Sequence, residues 1–442
     1  MSHRDGVKGS SVSVPGAQNE RVKDMNFAFI KGLYDTLDLF SEELSAALEK
    51  AGHNCIFLTA TDLGKSLPSF IEYHAIHHID AVIAFNNLGY NLGTKEGGNL
   101  WDALQILYVD ILMDHPFHFD RQLQNLPKKN LLFVIDKNHV DYVERYYDNV
   151  NRTVFLPHAG CANAISAAAE NNAISAAAKN DATSAASQTN AESAFALRSG
   201  NPRDIDILYA GALSRVLIES LIPDFDSIKE FDGALFSKRC LDRLINEPSV
   251  TTEECIRQEL SNEGLSSIPI ERERELITDF RFLDGYACSF FREQAVRVLC
   301  ENGFKVSALG LGWEQCDWAD NENLVILGKV GAKEVFPYML RSKIVLNTLT
   351  WFKAGSHDRI PNGMLAGAAV VTDDSDYLRE AFKNGECVRF PLSDIMKLPE
   401  TVDELLSDEP RRKALSGKGY DSAVKNHTWE QRAKSILASL AD

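Results

Sequence analysis

The sequence predicts two α/β domains built on parallel sheets, and three observations carry that prediction. Short runs rich in Ile, Val, Leu and Phe alternate with segments of helical spacing from Met25 to about Pro391. The runs themselves are almost continuously apolar, as expected of strands covered on both faces by helices. A tract of Ala, Ser and Asn at 161–202 then interrupts the alternation and separates two such series.

In the first series, "MNFAFI" reads as a strand, "DLFSEELSAALEKAG" as a helix stopped at Gly52, and "NCIFLTA" as the next strand, a β-α-β opening. "IDAVIAFN", "LQILYVDI" and "NLLFVID" continue as buried strands, and "VDYVERYY" with "RTVFLPHAG" adds a helix and a strand. The expected first domain is therefore 25–160, preceded by a flexible tail at 1–24 without the apolar core of a signal peptide. Within 161–202, "NAISAAA" occurs twice, but large apolar residues are too few for a core, so an exposed insertion is expected, with marginal helix the alternative. The second series opens with the strand Ile205–Tyr209, passes through a mainly helical insertion at 216–280, and resumes at "SFFREQAVRVLCENG". "KVSALGLGW", "NLVILGKV", "IVLNTL", "AAVVTD" and "ECVRFP" supply its later strands, giving a second domain over 203–424 and a final helix over 425–442.

Composition excludes several classes. The chain has 442 residues, and its 63 acidic against 46 basic residues leave a net charge of -17, which opposes binding to nucleic-acid phosphates or anionic lipid. No stretch is long and apolar enough to cross a bilayer. Eight scattered cysteines without a C-x-x-C pair fit a reduced, cytoplasmic location. The insertion and the Ala-rich tract are candidate elements for homo-oligomer formation or acceptor docking, with no motif that decides.

The segment "SHDRIPNGMLAGAAVVTDDSDYL", Ser356 to Leu378, is the most informative. Pro361 suits the first turn of a helix and Gly367 its C-terminal stop, so a polar loop should feed a short helix from about Arg359 to Ala366. Unpaired backbone N–H groups at a helix start favour an anion, and Arg359 adds a permanent charge with two-pronged donor geometry. Together they predict a phosphate seat. The small residues Gly363, Ala366, Gly367 and Ala368 serve equally for ordinary packing of helix on strand.

With "GLGW", "ILGKV" and "LRSKIVLN" ahead of it, the block "GSHDRIPNGMLAGAAVVTDDSDYLREAFKNGECVRF" resembles the C-terminal half of group-1-type GT-B glycosyltransferases, nearest to the spore-maturation-protein-like branch. The resemblance runs from about Asp204 to Trp429, excluding the helical insertion, while the N-terminal half agrees in layout only. It implies two Rossmann-like domains facing across a cleft, with a nucleotide sugar held mainly by the second. UDP- and GDP-sugars are the donors it favours, with a glycan, lipid-linked or protein acceptor on the first domain. It also implies a last helix that crosses back to the first domain, no cofactor and no catalytic metal. The competing reading is a non-catalytic sugar-nucleotide-binding partner of another transferase; a nicotinamide-linked dehydrogenase is disfavoured because "GLGWEQ" lacks the third glycine.

Carried over by position, Arg359 falls near the donor diphosphate, with His357 and Asp358 before it. Asn362 stands where relatives often have a ribose-binding glutamate, and the earlier glutamate position falls near Ala354, so charge-assisted ribose binding is not available there. Backbone N–H groups of Gly355, Ser356, His357 and Asp358 are expected to meet the leaving diphosphate, and Ser214 and Arg215 form a second loop able to face it. Gly312, Trp313 and Lys329 are placed near the nucleobase, with core or rim packing the alternative for Trp313. In the first domain, Asp114 and His115 follow a strand in "MDHPFHFD". A histidine there acts as a general base or steadies the sugar if it faces the cleft, and is a capping residue beside Pro116 if it does not. The loops "KGLYDT" and "NNLGYNLGTKEGGN" point toward the same edge as acceptor contacts. "EYHAIHH" lacks H-E-x-x-H order and reads as a helix end, and "DDSD" at Asp373–Asp376 as a turn and N-cap rather than a metal site.

Overall fold

The structure is a computed structural model that describes residues 24–179, 202–213, 218–349 and 351–441. The expected tail and most of the Ala-rich tract lie outside the described residues. Two six-stranded sheets organise the rest. The first contains β1 (Asn26–Lys31), β2 (Asn54–Thr59), β3 (Ala81–Phe85), β4 (Leu107–Leu112), β5 (Asn130–Val134) and β6 (Thr153–Phe155). The second contains β7 (Ile205–Ala210), β8 (Val306–Leu309), β9 (Leu324–Gly328), β10 (Ser342–Asn347), β11 (Ala369–Asp373) and β12 (Val388–Phe390). Every strand pair in both is parallel. Each predicted strand is present, and the central ones are fully buried, as their apolar runs require.

Strand order explains where a ligand belongs. The first sheet runs β2-β1-β3-β4-β5-β6 and the second β12-β11-β10-β7-β8-β9, so direction of winding reverses between β1 and β3 and between β7 and β10. Loops leaving the carboxyl ends of strands at such a reversal diverge and open a crevice. The two crevices face each other, which is the GT-B arrangement of two Rossmann-like domains.

A continuous apolar layer joins the domains. Phe29, Phe40 and Phe85 of the first share it with Phe336, Ile360 and Leu365 of the second. The last helix, Trp429–Ala441, packs on the helix Asp35–Lys50; its Trp429 ring lies 5.2 Å from Phe40 and 5.6 Å from Phe85, and Glu430 accepts from Lys50 at 2.7 Å.

Two segments differ from the sequence reading. The Ala-rich tract begins with the helix Ala162–Lys179, not an exposed insertion: Ile165 is fully buried in the interdomain layer. The Glu43 carboxylate caps its start, accepting from Ala164 N–H at 2.8 Å, and alanine both favours helix and allows close approach. The helical insertion, here Gly233–Asn246, Thr252–Asn262, Ile270–Asp279 and the start of Phe282–Glu301, belongs to the second domain in sequence but packs on the first in space. Its Phe236, Ile256, Leu276 and Phe280 form one cluster with Leu112, Leu132, Val134 and Tyr142, and its helix Ile270–Asp279 packs on the helix Lys137–Tyr146 and the turn Pro116–Phe119 of the first domain. All eight cysteines are free thiols.

Candidate functional site

Between the facing crevices lies a cleft of about 1020 Å³. Its first wall is built by the β1 loop (Leu33–Leu37), Asn86 after β3, and Asp114 after β4; its second by Ala210–Ala212 after β7, Gly310 after β8, Lys329–Ala332 after β9, and His357–Arg359 in the loop after β10. One end is closed by a cross-domain bond, Ala332 N–H donating to the Asp35 carboxylate at 2.5 Å.

The loop and helix around Arg359 follow the punctuation in the sequence. The helix runs Arg359–Leu365, with Pro361 in its first turn. Gly367 takes φ +72°, its N–H donating to Met364 O at 2.9 Å and that of Ala368 to Gly363 O at 3.0 Å, the paired bonds of a glycine-terminated helix. Gly363 lies close on the sheet: a Cβ there would sit 3.1 Å from the Val345 and Val370 side chains, which would have to give way.

The Arg359 guanidinium is 5% exposed and faces the cleft. It donates to the Tyr209 hydroxyl at 3.2 Å and to His357 Nε2 at 3.0 Å, and its Cζ lies 5.3 Å from the centre of the Tyr209 ring. Both partners are neutral. Among the described residues no carboxylate comes within ion-pair distance of it, although a buried cation without a counter-charge is costly. The nearest candidate, Asp358, is engaged elsewhere: its carboxylate accepts from His357 Nδ1 at 2.6 Å and from the Asn362 amide at 3.1 Å. Burial works against the Asp358 carboxylate, yet the His357 ring and its hydrogen bond hold it well below the ordinary Asp range. Burial and the adjacent Arg359 charge pull His357 down to about 3, so the ring is neutral and Nε2 is an acceptor. A histidine held neutral in this way contributes stability that is complete above its unfolded value of about 6.5 and is lost as pH falls from there toward 3.

On the opposite wall, Asp114 is exposed to the cleft and receives a bond from the Asn86 amide at 2.9 Å, while Asn86 Oδ1 accepts from Met113 N–H at 2.7 Å. The enclosing walls desolvate Asp114 and raise its carboxyl above the ordinary Asp value, the Asn86 bond opposing. Asn86 holds φ +51°, a left-handed conformation that asparagine tolerates and that turns its side chain toward Asp114.

Of the residues singled out in sequence, His357, Asp358, Arg359, Lys329 and Asp114 therefore meet at one cleft. Others do not. His115 is 8% exposed and turned behind the cleft, its ring stacked 3.7 Å from Phe117 and its Nε2 3.4 Å from the Glu253 carboxylate of the insertion. Its Nδ1 caps the following turn by accepting from Phe117 N–H, so the capping alternative is what the fold contains. The insertion's landing place decides this. His115→Ala is expected to remove the ring that packs on Phe117 and faces Glu253, and to lower stability by about 2 kcal/mol; urea unfolding checks it.

Trp313 is fully buried, donating to Gly211 O at 2.8 Å and lying edge-on to Tyr209, so it supports the β7 loop instead of stacking on a base. Gly312 lies under the same loop at φ +96°. Gly355 and Ser356 sit at the domain junction, not on the cleft: Gly355 pairs with Asp136, and a Cβ on it would lie 2.5 Å from Ile135 O. Asn362 is buried, its Oδ1 accepting from Cys161 N–H at 2.8 Å, so it ties the domain crossing and not a ribose. Ser214 and Arg215 lie outside the described residues. Tyr209 is the contributor that sequence reasoning does not name for the site, whereas Asp35 and Asn86 lie in the loops "KGLYDT" and "NNLGYNLGTKEGGN" expected at this edge. "EYHAIHH" ends a helix at His77, with His74 Nδ1 accepting from Ile79 N–H, and Ser375 of "DDSD" caps the helix Asp376–Ala381.

Residues 289–438 match a family model described as glycosyl transferase-like, a span that holds β8–β12 and Arg359. No curated protein matches the chain. Among solved structures, sucrose-phosphate synthase from Thermosynechococcus elongatus is 11% identical with a TM-score of 0.48, covering 94% of this chain and 98% of its own. HepE from Anabaena, in complex with UDP and glucose, is 10% identical with a TM-score of 0.46 over 95% of this chain and 100% of its own. A glycosyltransferase from Rickettsia africae is 9% identical with a TM-score of 0.47 over 94% and 98%.

Proposed function

We propose that the cleft transfers a sugar from a nucleotide-sugar donor, a UDP- or GDP-sugar, to a hydroxyl of a glycan, lipid-linked or protein acceptor. The observation that carries this reading is the buried Arg359 guanidinium, facing an open cleft at a strand-order reversal with only neutral partners. Such a cation is completed by an anion that enters with the ligand, and a diphosphate matches its geometry. The glycosyl transferase-like match over 289–438 supports the same class. The finer placing, in the spore-maturation-protein-like branch, rests on the block around Arg359 alone.

In the proposed reaction the bond between the sugar's anomeric carbon and the diphosphate oxygen breaks, and its electron pair leaves with the nucleoside diphosphate. The acceptor oxygen bonds the anomeric carbon and gives up its proton. Arg359 stabilises the charge growing on the leaving group, with exposed Lys329 on the same wall as a second cation. Asp114 takes the acceptor proton, a role suited to a carboxyl raised above its ordinary value. Leu33 and Tyr34, both exposed on the β1 loop, give the acceptor an apolar and aromatic surface beside it.

Titration with UDP, GDP and a panel of their sugars is expected to show binding of one nucleotide class and slow donor hydrolysis without acceptor. Absence of both across the panel rejects the reading. Asp114→Asn is expected to cut transfer about a hundredfold with nucleotide affinity retained, since Asp114 lies on the wall opposite Arg359.

A further inference from the structure

The chain crosses between the two sheets twice, at Pro157–Cys161 after β6 and at His427–Trp429 before the last helix. The crossings are laced together. Gly160 N–H donates to His427 O at 2.7 Å, and the buried Arg432 guanidinium donates to the carbonyls of Pro157 at 2.6 Å, His158 at 2.9 Å and Asn426 at 3.1 Å. This double strap lies against the helix that begins at Arg359. A Cβ on Gly160 would fall 2.5 Å from Leu365 Cδ1, and Cys161 N–H reaches Asn362 inside the helix.

His158 touches the loop just ahead of Arg359. Its Nδ1 lies 2.8 Å from Ser356 O, and because a carbonyl only accepts, Nδ1 carries the proton and donates. Its ring lies nearly parallel to that of His357, centroids 5.4 Å apart at 14°. His357 in turn separates two groups that attract each other, occupying the Asp358 carboxylate with Nδ1 and the Arg359 guanidinium with Nε2. Tyr209 anchors the guanidinium from a strand, but the His357 anchor stands on a loop, and the contact that steadies this loop from the crossing is His158.

We infer that His158 is a positioning residue of the donor seat: it fixes the Ser356–His357 turn so that His357 keeps Arg359 apart from Asp358 and aimed at the cleft. The inference rests on the sugar-nucleotide reading of the cleft. Without His158 the turn relaxes, His357 withdraws, and Arg359 closes on Asp358 in a charge-assisted pair that leaves no site for a diphosphate.

The experiment is a double-mutant cycle read by UDP and GDP titration. His158→Ala is expected to weaken nucleoside diphosphate binding about tenfold or more, and His158→Asn, whose amide reaches the Nδ1 position, to stay within about threefold of the parent. In an Arg359→Gln background, His158→Ala is expected to change affinity less than about twofold. Equal losses in the two backgrounds overturn the inference, since a residue that only stabilises the fold acts alike in both. If His158→Ala does not fold, His158→Phe replaces it, filling the same space with no donor. A crystal structure of the variant is the arm independent of nucleotide binding: Arg359 turned onto Asp358 supports the inference, and Arg359 still bonded to Tyr209 and His357 overturns it, even if the parent binds no nucleotide.

Discussion

Arg359→Ala is expected to reduce sugar transfer by about 10²–10³-fold, the loss typical of removing one preorganised donor from a developing negative charge. Nucleoside diphosphate affinity should fall with it. The ligand-free protein should at the same time become no less stable, and its thermal midpoint should hold or rise. The reason is the state of the guanidinium: 5% exposed, bonded to two neutral groups, and paired with no carboxylate among the described residues. A buried charge in that condition opposes folding and is retained where a ligand completes it. Arg359→Lys keeps the charge but loses the fork, so it should recover only part of the transfer activity. A variant that loses stability while keeping transfer would show that Arg359 is a structural cation.

Gly312→Ala is expected to be the most destabilising single-methyl change on the second sheet. Gly312 has φ +96°, which already strains an L residue, and a Cβ there would lie 2.0 Å from the backbone oxygen of Leu213, where nothing flexible can yield. Backbone strain and overpacking together put the cost at about 4 kcal/mol. Gly264→Ala is the control: its φ of +80° is comparable, but no atom lies within 4 Å of the added methyl, so only the conformational cost of about 1 kcal/mol remains. Urea unfolding of the two variants separates the terms, and equal midpoints would show that the β7 loop moves aside freely. The expected gap also decides the meaning of the glycine in "GLGW": it lets the β8 loop lie against the β7 loop, and the ligand needs no contact with it.

Much of this architecture was legible because it is local. Strands β1–β12 follow runs of apolar residues whose continuity is itself the mark of a covered sheet, and the Arg359 helix is bracketed by Pro361 and Gly367, whose backbone chemistry leaves little choice. The charge of Arg359 beside a loop at a strand end was legible for the same reason. What sequence did not disclose is contact between distant segments. His115 follows a strand whose end faces the cleft, yet the insertion carrying Glu253 lands on it from the second domain and draws the ring to the back. Trp313 and Asn362 look like ligand contacts in a linear motif; in space they are spent on Gly211 and Cys161, because loops of adjacent strands and the domain crossing must each be held. The alanines of 162–169 read as coreless in sequence; in space Ile165 is fully buried between two domains, and Ala162, Ala164, Ala168 and Ala169 pack against the same layer.

The shared cluster of Leu112, Leu132, Val134 and Tyr142 with Phe236, Ile256, Leu276 and Phe280 has a consequence for biosynthesis. The helix Lys137–Tyr146 and the turn Pro116–Phe119 leave the ribosome well before the insertion helix that packs on them, so during synthesis their outer surface stays uncovered until the chain has grown past Phe280. The amino-terminal half therefore completes its packing only after part of the second domain has been made, in contrast to the domain-by-domain order usual in large proteins. Its aggregation risk is concentrated in that interval, and a pause in translation between β6 and Phe280 would lengthen it.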